Sequence, residues 1–68
     1  MDYIDRITAL REDRDIKQEE IAKVLGIQQS AYSKYEKRRS KMRIEDLITI
    51  CNFYRVSADE ILGLPRFD

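Results

Sequence analysis

Apolar residues recur at three- and four-residue steps along most of the chain, which is the spacing of helices that bury one face. This pattern predicts five helices, at about residues 2–13, 18–25, 28–37 and 44–54, with a short last helix that follows Ser57. In the first helix the expected inward positions are Tyr3, Ile4, Ile7 and Leu10, and in the fourth they are Ile44, Leu47, Ile48 and Cys51. The sequence therefore predicts an all-α domain.

Turn and capping residues mark where several of these helices begin and end. Gly26 follows the second helix, where a glycine can adopt the left-handed conformation that ends a helix. Ser57 and Glu60 form a capping box at the start of the fifth helix, which Gly63 then ends. The second and third helices are thus joined by a tight turn at a single glycine.

Three of the predicted helices begin without a favourable capping residue. Lys17, Gln28 and Arg43 stand where Ser, Thr, Asp or Asn is expected. One explanation is that the helix starts lie one or two residues away from these positions. The other is that the first backbone N–H groups are left free to bind phosphates.

Length and composition limit the class of protein. The 68 residues make one domain, 1–68, and two glycines, one proline and 38% charged residues favour helices over a β-sandwich. With no histidine and a single cysteine, neither a zinc site nor the commonest general base is expected, and we predict no enzyme activity, metal or cofactor. Cys51 is expected in the core, a lone cysteine suits the reducing cytoplasm, and no apolar run is long enough to cross a membrane.

The charges are distributed unevenly, although the chain is neutral overall. Residues 34–43 hold six basic residues and one acidic residue, so this segment carries +5 and the rest of the chain −5. Most basic runs are only solvated loops. A strongly positive segment directly after a helix is also what a protein needs to hold nucleic acid.

The third helix has two chemically different faces. Tyr32 and Tyr35 lie on one side, and the other carries only polar or basic side chains, namely Gln29 at its flank and Ser30, Ser33, Lys34 and Lys37. An ordinary amphipathic surface helix looks the same at this level. Glutamine can pair with adenine and lysine with guanine, however, and Gln28, Gln29 and Ser30 lie at the N-terminal end that a recognition helix inserts into the major groove.

The residues that carry a family resemblance are Gln18-x-x-Ile21-Ala22-x-x-Leu25-Gly26-Ile27-x-x-Ser30-x-Tyr32-Ser33-x-Tyr35-Glu36 and Leu47-x-x-Ile50-Cys51-x-x-Tyr54-Arg55-Val56-Ser57-x-Asp59-x-Ile61-Leu62. These segments resemble the helix-turn-helix, at about residues 18–37, and the last two helices of the phage Cro and lambda repressor family. The resemblance covers nearly the whole chain. It implies a five-helix, lambda repressor-like DNA-binding domain.

The resemblance also implies roles for individual residues. Gln18 would contact a phosphate and support the recognition helix, and Glu36 would pair with Arg11. Bases would face Gln29, Ser30, Ser33 and Lys34, and the DNA backbone would be held by the loop residues Arg38, Arg39, Lys41 and Arg43. With Gln28 and Lys37 added from the chemistry of the polar face, these are the expected DNA-binding residues.

Some positions depart from the pattern of that family. Arg55 stands where a glycine often follows the fourth helix, and a left-handed arginine there costs roughly 1 kcal/mol. Tyr32 and Tyr35 replace aliphatic residues on the inner face. Their rings are expected in the core, although their hydroxyls could also reach the rim and contact phosphate.

These features favour a sequence-specific regulator of transcription that binds double-stranded DNA. We expect a repressor that acts as a homodimer on a palindromic operator. Leu62, Leu64 and Phe67 either pack onto the core or form a dimer contact with Phe53 or Ile48. No small-molecule ligand is evident. The alternative is a protein-interaction module on the same scaffold, such as an antitoxin or anti-regulator.

Overall fold

A computed structural model describes residues 2–65 of the chain. It contains five helices, α1 (Tyr3–Asp13), α2 (Gln18–Leu25), α3 (Gln29–Glu36), α4 (Ile44–Tyr54) and α5 (Ala58–Leu62), and the described residues include no strand. The all-α prediction is confirmed, and each helix lies within about one residue of its expected bounds. Phe67, which was expected in the core or at a dimer contact, lies outside the described residues.

Local capping explains where α1 begins. Asp2 is the N-cap, and its side chain accepts a 3.0 Å hydrogen bond from the backbone N–H of Asp5. Ile4 and Ile7, one turn apart, are buried on the inner face of the helix. After Asp13 the chain turns through Asp15 at a φ of 54°, and the backbone N–H of Ile16 returns to the carbonyl of Arg11.

The turn between α2 and α3 has the predicted geometry. Gly26 adopts the left-handed conformation, with a φ of 70° and a ψ of 28°. The backbone N–H of Ile27 then donates to the carbonyl of Ala22 over 3.0 Å, and the Ile27 side chain packs against the core. This closed turn sets the direction in which α3 leaves α2.

One core joins all five helices. The buried cluster consists of Ile7, Ile21, Ala22, Tyr32, Tyr35, Leu47, Ile50, Cys51, Tyr54 and Ile61. Cys51 lies in this core as expected, and burial raises the pKa of its thiol. Both tyrosines of α3 belong to the cluster, so the buried side of this helix is held by aromatic rings.

The prediction for the inner face of α4 was partly wrong. Ile44 and Ile48 are 62% and 54% exposed, while the buried stripe runs through Leu47, Ile50, Cys51 and Tyr54. Those four positions follow the helical three- and four-residue steps, and Ile48 is turned about 100° away from Leu47. Ile44 and Ile48 therefore do not contribute to the packing of this core.

Left-handed residues also end the last two helices, α4 and α5. Arg55 follows α4 with a φ of 57°, as the sequence suggested, and Ser57 caps α5 by accepting a 3.2 Å bond from the N–H of Glu60. Gly63 ends α5 at a φ of 67°, and a side chain there would collide with the guanidinium of Arg6. Across residues 2–65, none of the helices combines the length and apolar character needed to span a membrane.

Candidate nucleic-acid interface

The polar face of α3 is open to solvent. Gln29, Ser30, Lys34 and Lys37 are exposed, as is Gln28, which precedes the helix, while Ser33 is half-buried. These are the six side chains expected to face DNA from this helix. The structure therefore leaves this face uncovered by the rest of the monomer, as a base-reading helix requires.

The opposite face of α3 is fixed by two rings. Tyr32 is fully buried and Tyr35 is 6% exposed, and their ring centroids lie 6.3 Å apart in an edge-to-face arrangement. This geometry is one that aromatic pairs prefer. It leaves α3 little freedom to rotate about its own axis, which is the motion that would misdirect its polar face.

Glu36 connects α3 to both preceding helices. Its Oε2 accepts from Arg11 Nε over 2.7 Å and from the Tyr32 hydroxyl over 2.6 Å. Its Oε1 accepts from Arg11 Nη2 over 3.0 Å and from Gln18 Nε2 over 2.9 Å. The expected pair with Arg11 is present, in the two-pronged geometry that guanidinium and carboxylate groups favour.

The ionisation of this cluster follows from its contacts. Burial raises the pKa of Glu36, but hydrogen bonds from Arg11, Tyr32 and Gln18 outweigh burial and hold it below its usual value. Burial and the bond to Glu36 together raise the pKa of Tyr32. Glu36 is thus a carboxylate whose charge Arg11 neutralises, so the one acid in the basic segment does not repel DNA.

Gln18 is half-buried at the start of α2, with its amide nitrogen on Glu36. This contact supports α3 in the way that the family resemblance implied. Its contact with a phosphate remains a prediction. Only one N–H of the amide is needed for Glu36, so the second N–H stays available to donate to a phosphate oxygen.

Tyr35 makes a contact that the sequence did not suggest. Its hydroxyl donates to Oδ2 of Asp46 over 2.5 Å, and Asp46 is only 6% exposed in the first turn of α4. Burial, followed by this hydrogen bond, raises the pKa of Tyr35. Both tyrosine hydroxyls are therefore bound to internal carboxylates, so the core role of Tyr32 and Tyr35 is the one observed.

The three helix starts without favourable caps are real. Lys17, Gln28 and Arg43 occupy the N-cap positions of α2, α3 and α4 with extended backbone, and none makes a side-chain capping bond. A shifted register is therefore not the explanation. The first N–H groups of these helices are left to solvent or to an external acceptor.

The basic segment after α3 presents most of its charge to solvent. Arg39, Lys41 and Arg43 are all exposed, and the last lies 3.5 Å from Glu45 in a pair that is two-thirds exposed on both sides. Such a pair contributes little energy and exchanges partners easily. These three cations are therefore open to solvent directly after α3.

Arg38 differs from the other cations of this segment. Its Nη2 lies 3.0 Å from Asp2 Oδ1 and 2.8 Å from Asp5 Oδ1, so its guanidinium is tied to the start of α1. The family resemblance implied that it is one of the loop residues that hold the DNA backbone. The pairing depends on how α1 approaches the end of α3, which no local pattern reveals.

Comparison with known proteins identifies relatives of this arrangement. The helix-turn-helix family model matches residues 7–61. An uncharacterised HTH-type transcriptional regulator of Bacillus subtilis, YobD, is 36% identical over 91% of this chain and 55% of its own length. The cryptic phage CTXphi transcriptional repressor RstR of Vibrio cholerae is 32% identical over 90% of this chain and 55% of its own length. The antitoxin PezA of Streptococcus pneumoniae is 35% identical over 84% of this chain and 36% of its own length.

The fold has a counterpart among solved structures. A transcriptional regulator from Listeria innocua superposes with a TM-score of 0.85, covering 97% of this chain and 62% of that one at 24% identity. The five-helix architecture is therefore an observed fold. The chain spans about half the length of YobD and RstR, so the match concerns only part of those proteins.

Proposed function

This chain belongs to the helix-turn-helix family, and from that premise we propose that it binds double-stranded DNA in a sequence-specific way to regulate transcription. The observation that carries the proposal is the solvent-exposed polar face of α3, held in place from behind by Tyr32, Tyr35 and Glu36. A rigid helix with free hydrogen-bonding side chains is suited to read base edges in the major groove.

Two groups of side chains divide the work in this proposal. Gln29, Ser30 and Lys34, with Gln28 and Ser33 beside them, contact bases and choose the sequence. The exposed cations Lys37, Arg39, Lys41 and Arg43, with the amide of Gln18, contact phosphates. The phosphate contacts supply most of the affinity and its salt dependence, since they release counterions on any sequence.

We further propose that the protein represses transcription as a homodimer on a palindromic operator. Large apolar side chains outside the core support a dimer, because Ile48 is 54%, Phe53 42%, Leu62 37% and Leu64 53% exposed. Two copies related by a two-fold axis place their α3 helices in half-sites about 34 Å apart, one turn of DNA. RstR, which is described as a phage repressor, supports the direction of regulation.

Selection of bound sites from random duplex DNA tests this proposal. We expect an enriched inverted repeat whose half-sites are separated by about one helical turn. A single enriched half-site would support sequence-specific binding and contradict the proposed homodimer. A pool without enrichment, recovered equally from wild type and from a variant with Gln29, Ser30 and Lys34 all replaced by alanine, would contradict base reading.

A second candidate function is favoured by the likeness to PezA, which is described as an antitoxin. On this alternative the domain belongs to a protein that also binds a partner protein through the exposed apolar side chains. Purification from the native host with and without Leu62→Ser and Leu64→Ser distinguishes the two. A stoichiometric partner that the wild type retains and the variant loses, in the absence of any DNA shift at low salt, would favour the antitoxin.

A further inference from the structure

Arg38 occupies a backbone conformation that does not suit an arginine. Its φ is 60°, in the left-handed region directly after α3. The turn is closed by two bonds, from Arg38 N to the carbonyl of Tyr35 over 3.1 Å and from Arg39 N to that of Lys34 over 2.9 Å. Glycine is the residue that takes this position without strain. An arginine here has the same backbone cost as Arg55, but its side chain makes contacts that a glycine could not make.

The side chain of Arg38 reaches the first turn of α1. Nε donates to Asp2 Oδ2 over 3.2 Å, and Nη2 donates to Asp2 Oδ1 over 3.0 Å and to Asp5 Oδ1 over 2.8 Å. The same Asp2 oxygen accepts the capping bond from the N–H of Asp5. We call Arg38, Asp2 and Asp5 together the latch, since they join the beginning of α1 to the end of α3.

The latch lies just before residues 39–43, and a second contact lies just after them. Asp46, in the first turn of α4, accepts a hydrogen bond from the hydroxyl of Tyr35 in α3. The chain from Arg39 to Arg43 is therefore held between two side-chain contacts. The direction in which its cations point depends on both of them.

We propose that Arg38 is a positioning residue for DNA binding, which keeps its guanidinium on Asp2 and Asp5 in the complex and directs the basic segment toward the phosphates. The inference rests on the proposed DNA-binding function. Two carboxylates against one guanidinium give the latch a net charge of −1, so as a unit it offers DNA no attraction. The cations that do attract phosphate are Arg39, Lys41 and Arg43.

The ionisation of the latch agrees with this role. The hydrogen bond from Arg38, followed by that from the N–H of Asp5, lowers the pKa of Asp2. The carboxylate is therefore charged at neutral pH and able to pair with Arg38. All three side chains are about half exposed, so DNA can approach the latch without first unfolding it.

The salt dependence of DNA binding separates positioning from direct contact. Arg39→Gln removes a phosphate contact and should lower the slope of log K against log salt by about one. Arg38→Gln should weaken binding to cognate and random DNA by roughly two- to fivefold, the scale of exposed ion pairs, with the slope unchanged. The double variant Asp2→Asn, Asp5→Asn should weaken binding similarly, although it makes the protein more positive by two charges.

The double variant Asp2→Asn, Asp5→Asn gives the more decisive result, because asparagine caps a helix as well as aspartate does and the start of α1 is preserved. If it binds DNA more tightly than wild type, the carboxylates only repel DNA or compete for Arg38, and the proposal is overturned. A slope for Arg38→Gln that falls as much as that of Arg39→Gln also overturns it.

Arg38→Gly guards against a folding artefact, since glycine accepts the turn and removes only the side chain. It should bind as weakly as Arg38→Gln, and wild-type affinity in this variant would overturn the latch. A failure of the proposed function looks different, because wild-type protein would then bind none of the duplexes. Circular dichroism melting of each variant verifies that it is folded.

Discussion

The two arginine–carboxylate clusters of this domain have similar chemistry and different surroundings. The side chains of Arg11 and Glu36 are 13% and 10% exposed, while those of Arg38 and Asp2 are 50% and 51% exposed. The first cluster joins α1, α2 and α3 within the fold, and the second joins the surfaces of α1 and α3. Burial therefore assigns the first cluster to the stability of the domain and the second to the orientation of a surface segment.

Burial also makes the first cluster costly to break. Removing the Glu36 carboxylate leaves several donors without a partner in a desolvated site. The exposed guanidinium of Arg38, by contrast, is hydrated by water when its partner is removed. The contrast between them predicts how strongly the protein responds to each change.

The largest effect is expected from Glu36→Ala. It leaves the Arg11 guanidinium, the Tyr32 hydroxyl and the Gln18 amide without their shared acceptor. We expect the free energy of unfolding to fall by about 3 kcal/mol, measured by urea denaturation. Arg38→Gln is the matched exposed change and should cost about 1 kcal/mol or less. Equal losses for the two variants would contradict the contrast.

A smaller effect separates two buried tyrosines. The Tyr32 hydroxyl donates to Glu36, whereas the Tyr54 hydroxyl is buried and has no hydrogen-bond partner among residues 2–65. Tyr32→Phe should therefore destabilise the domain by about 2 kcal/mol, since a bond to a charged group is lost. Tyr54→Phe should leave the stability unchanged or raise it. Thermal melts of the pair test this, and a larger loss for Tyr54→Phe would place an unrecognised partner at that hydroxyl.

The pH dependence gives the smallest of the expected stability effects. Burial opposes ionisation of Glu36, but its hydrogen bonds from Arg11, Tyr32 and Gln18 prevail, so its folded pKa lies below the ordinary value of 4.5. The stabilisation is fully present above pH 4.5 and is lost as the pH falls through the folded pKa. Urea midpoints of wild type between pH 6 and about pH 3 should drop more steeply than those of Glu36→Gln. Parallel curves would show that Glu36 titrates normally.

The sequence predicted the fold well because its signals are local. Gly26 and Ser57 mark helix boundaries, and the spacing of apolar residues identifies the inner faces of α1 and α2. The inner face of α4 was harder, since Ile44 and Ile48 fit an apolar stripe by spacing and yet lie outside it. Their exposure is decided by which helices pack against α4.

The candidate site was predicted less completely, for a related reason. The polar face of α3 follows from helical periodicity, and the Arg11–Glu36 pair followed from the family resemblance. The contacts of Tyr35 with Asp46 and of Arg38 with Asp2 join residues 11 and 36 positions apart. Side chains that far apart meet only through the tertiary arrangement, so the family resemblance could imply a DNA contact for Arg38 but could not reveal its partners.

The decisive measurement is the binding of cognate and random duplex DNA by Gln29→Ala and Arg39→Ala, since it separates base reading by α3 from contact with phosphates. The account predicts that Gln29→Ala loses discrimination at one base pair, worth about 1–3 kcal/mol, while its affinity for random DNA stays near that of wild type. Arg39→Ala should weaken both complexes by the same factor and flatten the salt dependence. If the two variants changed both affinities alike, the exposed face of α3 would not be what reads the sequence.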